Sequence, residues 1–207
     1  MIDAFLNLSI FWVFLIVLTG TVLAFEGGRL LGRSTERRGG DDVATLEGAV
    51  LGLLALMVGF TFSMALMRYE ARREAVVKEA NAIGTTVAFA HLLPEPYATN
   101  SVNLLRDYVR VRLEVGGHQT AQEAAETTAK SGEIQTALWH EAQGLEKADN
   151  NVVPTGLYVF SLAQTFDEHD ARLAANRNRV PNVAIWGLYL LGIATAGFTG
   201  YSVGVAT

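Results

Sequence analysis

His140-Glu141 and Asp167-Glu168-His169-Asp170 are the runs whose residue types could bind a metal or move protons. The first opens the spacing of a zinc-protease helix, where two histidines four apart share a face and the glutamate serves as base. Position 144 is Gly where the second histidine would stand, so no ligand pair forms. In the second run the four side chains are consecutive. Helix neighbours point about 100° apart, so the run fans out and reads as solvated charge around one histidine on a helix seam. His91 and His118 lie near expected helix ends with no partner at ligand spacing. The chain has no cysteine, which excludes disulfides and thiolate metal sites. It contains no GxSxG elbow, Walker loop or GxGxxG turn. No catalytic residue, metal or cofactor is therefore expected, and the chain is not read as an enzyme.

The composition points elsewhere. Of 207 residues, 50% are hydrophobic and 18% charged, against roughly 25% charged in soluble domains. Residues 4–25 and 181–207 carry no charge, and from Val43 to Met67 Glu47 stands alone. Each run exceeds the roughly 20 residues that cross a hydrocarbon core about 30 Å thick. The expectation is an all-α membrane protein with three visible transmembrane helices: span one at about 4–25, span two at 43–67 and span three at about 182–203. Its first partner is the lipid bilayer. Val22-Leu-Ala24 offers small residues at signal-cleavage spacing. No basic residue precedes the run, however, and it is longer than a secretory core, so a retained anchor is expected. The net charge of −5 mixes exposed faces with buried spans. No basic block or aromatic-interleaved basic stripe supports binding of nucleic acid.

Span two has two distinct faces. Gly48, Gly52, Ala55, Gly59 and Ser63 recur at helical spacing and clear one side for close helix packing. Leu53, Leu56, Phe60, Met64 and Met67 crowd another side. That bulky face points either to lipid or to an axis shared with sister subunits, where it would form an apolar ring that gates a pore by dewetting. Glu47 stands at the mouth of the span. It either satisfies the helix dipole or contributes to a carboxylate ring at a pore entrance that attracts cations.

These residues divide the chain into residues 1–67, holding spans one and two with a Gly-rich polar turn at 26–42; a large polar helical region, 68–181; and span three, 182–207. Lys and Arg near the span ends set orientation. Arg29, Arg33, Arg37 and Arg38 in the turn are outnumbered by Arg68, Arg72, Arg73, Lys78, Arg172, Arg177 and Arg179 around the large region, which is therefore placed inside. Span two continues without a breaker into GFTFSMALMRYEARREAVVKEANAIGTT. Val76, Ala80, Ile83, Val87 and Ala90 extend it as a heptad seam until Pro94 and Pro96 stop it. One helix over 43–92 would be about 75 Å long.

A second polar helix runs from about Pro96 to Val115, its apolar face built from Val102, Leu105, Val109 and Leu113 beside Leu104, Tyr108, Val111 and Val115, and Gly116-Gly117 closes it. Thr120-Ala-Gln-Glu123 forms a capping box for a third, with Gly132 a weak point. After an Asp149-Asn-Asn turn, Pro154 restarts a helix with the seam Val159, Leu162, Phe166, His169, Leu173, Asn176 and Val180. His169 and Asn176 are candidates to set register. Pro181 is expected to kink the junction with span three rather than end the helix.

GFTFSMALMRYEARREAVVKEANAIGTT together with DEHDARLAANRNRVPNVAIW resembles the bacterial bestrophin-like membrane family of unknown function, a distant relative of the bestrophin ion channels. The likeness covers most of residues 45–200. It implies four membrane helices, a cytoplasmic helical bundle built on extensions of the second and third spans, and a homo-oligomer, a pentamer by analogy with bestrophins, around a central pore in the bacterial inner membrane. It also implies a neck at Leu53, Leu56, Phe60 and Met64, and permeating ions as ligands. Bestrophins point to anions and some bacterial relatives to cations, so selectivity stays open, with anions slightly favoured. The acidic calcium clasp of bestrophins has no recognisable counterpart, and a fourth span would have to follow Thr207. The functional expectation is an oligomeric ion channel. The alternative is a non-conducting membrane scaffold whose cytoplasmic helices bind a partner.

Overall fold

In a computed structural model of the chain, residues 10–34, 40–114, 121–148 and 152–206 are described, and they form helices with no strand among them. Helix α1 is Ile10–Arg33, α2 Gly40–Ala90, α3 Tyr97–Glu114, α4 Ala121–Ala148, α5 Leu157–Arg177 and α6 Asn182–Ala206. Three helices, α1, α2 and α6, are long and apolar enough to cross a membrane. The chain forms two compact units. One comprises residues up to Arg68 together with Arg179 onward, and the other is Tyr69–Asn178.

In the first unit α1 and α6 pack closely along glycines. A Cβ on Gly28 would collide with the Gly197 carbonyl oxygen, one on Gly32 with that of Tyr201, one on Gly200 with that of Phe25 and one on Gly204 with that of Arg29. Small residues at such crossings let two backbones meet, which drives helix association in lipid. Contacts advance together along both helices, from Gly20 on Ile193 to Gly32 on Gly204, so α1 and α6 run parallel. Spans one and three must do so when successive spans cross in alternation. The first helix also runs further than its apolar run suggests. Residues 26–33, expected in the polar turn, stay helical and supply half of this glycine contact. The rest of that turn, at 35–39, lies outside the described residues.

In the second unit, residues 69–90 of α2 join α3, α4 and α5 in a four-helix bundle. Its core holds Ala90, Leu93, Ala98, Leu105, Leu138, Ala142, Leu145, Tyr158 and Leu162. On α3 the buried row is Ser101, Leu105, Tyr108 and Arg112, between the two expected stripes, so Leu113 faces outward. Pro94 ends α2 as anticipated: the last helical residue is Ala90, and His91 to Leu93 turn with amides bonded to Val87, Phe89 and Ala90. Gly132 does not interrupt α4. Thr120, Gly116-Gly117 and Asp149-Asn-Asn, the expected cap, closure and turn, lie outside the described residues, as does His118.

The junction before α6 differs from expectation. Helix α5 stops at Arg177, Asn178 is extended (φ −77°, ψ 100°), and residues 178–181 are not helical. Pro181 disfavours helical backbone at Val180 and then opens the next helix, its carbonyl accepting from the Ala184 amide at 3.0 Å. The proline separates two helices, so of the two spans flanking the large polar region, span two continues into it unbroken and span three does not.

Candidate functional site

The apolar part of α2 carries the residues singled out for a pore. Leu53, Leu56 and Phe60 are exposed on the chain, Met64 is half-buried, and no residue in the most apolar stretch of α2 is buried. Helical spacing sets Val50, Leu54, Met57, Thr61 and Met64, the half-buried positions, on one side. There Met57 Cε comes within 3.3 Å of where a Gly187 Cβ would stand, bringing α6 against α2. Gly48, Gly52, Ala55, Gly59 and Ser63 turn to the opposite side. A Cβ added to Gly48, Gly52 or Gly59 would meet nothing within 4 Å. Among the described residues nothing packs on this small face, and the close glycine packing is made by α1 and α6. The spacing Gly28-x-x-x-Gly32 and Gly200-x-x-x-Gly204 was present in the sequence to signal it. Glu47 is half-buried and, with α2 starting at Gly40, lies seven residues in. Helix-dipole effects fade after the first turn, so it does not cap the helix.

The second unit contains a buried ionic cluster that sequence periodicity did not bring together. The expected α2 seam would bury Val76 and Ala80, but Val76 is 44% exposed and Ala80 is also outward. The buried row lies one residue earlier at Ala75, Glu79, Ala82 and Thr86, and rejoins the expected seam at Ala90. Glu79, 1% exposed, is met by side chains from two other helices. Arg172 Nη1 of α5 donates to its Oε2 at 2.5 Å. Arg112 of α3 approaches with Nε 3.0 Å from Oε1 and Nη2 3.4 Å from Oε2. Tyr108 Oη donates to Oε1 at 2.9 Å and lies 2.8 Å from His169 Nδ1.

Since the tyrosine proton goes to the carboxylate, Nδ1 of His169 carries the hydrogen that Tyr108 Oη accepts, with Glu79 Oε1 3.4 Å away. Burial favours the neutral acid at Glu79 and is the largest influence. Hydrogen bonds from His169 and Arg172, the Arg112 charge and the Tyr108 hydroxyl together outweigh it and hold the carboxyl at about 2. Burial first, then the Glu79 charge, pushes the Tyr108 hydroxyl well above its ordinary range, keeping it a donor. Further along, Thr86 Oγ1 donates to the Ser161 carbonyl at 2.9 Å and lies 2.8 Å from Thr165 Oγ1. Arg72 reaches the Ala175 and Asn178 carbonyls at 3.4 and 3.3 Å, supplying donors at the carboxyl end of α5.

His169 thus takes the buried polar role expected of it, whereas Asn176 is exposed. Asp167 and Asp170 point outward, and among the described residues no group of His, Asp and Glu is arranged to hold a metal. The cluster joins three helices through one carboxylate.

A family model described as a Bestrophin-like domain matches residues 12–202. The chain belongs to the Bestrophin-like family. The match takes in α1 from Trp12, both units and most of α6, so family membership covers the apolar helices and the ionic bundle together. With its three long apolar helices, this Bestrophin-like chain is a membrane protein. No curated protein and no solved structure gives a match.

Proposed function

We propose that the chain is a subunit of a homo-oligomeric ion channel. The α2 helices of several copies surround a central axis, and Leu53, Leu56, Phe60 and Met64 form the constriction. Glu47 stands at the entrance, and the Tyr69–Asn178 bundle lies on the cytoplasmic side. The observation that carries this reading is the apolar part of α2, long enough to span and with no buried residue in its most apolar stretch, in a chain of the Bestrophin-like family. A bulky row offered to an axis makes a passage that excludes water until it widens. The ion passes without any covalent step, and selectivity rests on residues at the entrance and in the vestibule.

Purified protein in liposomes tests this. Ion flux that rises when Leu56 or Phe60 becomes Ala supports the channel. No flux under any salt or pH, from folded protein, leaves the membrane scaffold in its place. Mass in detergent is a simpler check, because a monomer has no axial passage.

A further inference from the structure

Two surfaces of the Tyr69–Asn178 bundle are left uncovered and match one another. The first is the outer face of α2, opposite the row that holds Glu79. Tyr69, Arg73, Val76, Val77, Ala80 and Gly84 share this side, and Val77 is 53% exposed. Nothing lies within 4 Å of a Cβ placed on Gly84. Arg73 sits at the centre of the stripe, Glu70 lies at its margin, and the Glu74–Lys78 pair lies beyond. The second surface is a groove between α4 and α5, made of two adjoining clefts of about 500 and 410 Å³ that share Trp139 and Ala163. Val159 is half-buried in its floor, and Phe160, 71% exposed, stands at its edge. Its charged lining residues are Glu146 and Asp167.

Uncovered apolar faces of this kind mark contacts with a partner. We infer that the α2 stripe of one copy lies in the α4–α5 groove of the next copy. Charge decides the partner. Stripe on stripe sets Arg73 near Arg73, and groove on groove gathers four carboxylates, whereas stripe in groove, with Val77 on Ala163, sets Arg73 against Asp167. Ala80 and Gly84 let the helix backbone come close to the floor, while Val76 and Val77 fill the space beside Trp139 and Phe160. The two surfaces belong to different helices, so the contact is head-to-tail and propagates from copy to copy until a ring closes. This inference rests on the homo-oligomeric reading above and names the surface that builds the oligomer.

The absence of cysteine gives a clean background for the test. Val77→Cys and Ala163→Cys are introduced singly and together in the full chain, and a short thiol-to-thiol cross-linker is applied in detergent alongside a mass measurement. The double variant is expected to give a ladder of covalent multimers up to the native mass, and each single variant none. Adding Arg73→Glu to the double variant should reduce the ladder about two- to fivefold, the worth of an exposed ion pair, and further adding Asp167→Arg should restore it. Cross-linking of a single variant to itself, or an oligomer of native mass with no ladder, overturns the inference and leaves the channel reading standing. A monomeric mass overturns both.

Discussion

Glu79→Gln keeps the shape of the side chain but leaves Arg112 and Arg172 facing a neutral amide inside the bundle. Breaking a buried charge cluster from one side costs about 3–5 kcal/mol, so chemical denaturation should show this variant strongly destabilised. Tyr108→Phe removes one hydrogen bond to a charged group and should cost less, about 1.5–3 kcal/mol. The pH dependence has a definite sign. The folded carboxyl titrates at about 2 rather than its ordinary 4.5, so its contribution is complete above 4.5 and is lost as pH falls through about 2. Unfolding measured from pH 5 downward should show that loss in the native chain, with this component absent in Glu79→Gln. Spacing could not find the cluster, because the rows through Val76 and through Ala75 have nearly the same period. Hydropathy favoured the valine row. What stabilises Glu79 inside are guanidinium groups on helices far away in sequence, which no single segment displays.

Among the elements, the α1–α6 pair makes a contrast that stability measurements can read. Gly200→Leu places a side chain where the Phe25 backbone already lies, and overpacking of this kind costs about 1–3 kcal/mol or more. Gly52→Ala meets nothing in its own chain and should leave the fold of the subunit unchanged. Thermal unfolding in detergent, with expression level as a second readout, checks both. Within the bundle, Leu105→Ala should cost about 2–5 kcal/mol, since Leu105 is fully buried. The helices themselves were legible, because long charge-free runs and prolines leave strong marks. Their ends were less so. Helix α1 outlasts its apolar run because glycine packing continues through Arg29, and α5 stops before Pro181 because the proline ring acts on the residue ahead of it.

At the scale of the molecule, family membership and three apolar helices were both visible in the sequence, since hydrophobic length and a charged continuation of span two survive without tertiary information. What surrounds α2 was not, because among the described residues the small face and Leu53, Leu56 and Phe60 stay exposed on a single chain. Orientation has its own test. Lys130 is exposed on α4, and Lys130→Cys should react with an impermeant thiol label only when the cytoplasmic side is opened; labelling of intact cells from the periplasm would reverse the assignment. The most direct measurement is ion flux through purified protein in liposomes, comparing the native chain with Phe60→Ala. A passage narrowed by a bulky apolar ring that opens intermittently predicts flux in the native protein and a larger flux in the variant. Folded, oligomeric protein that conducts in neither form, at any salt or pH, would contradict it.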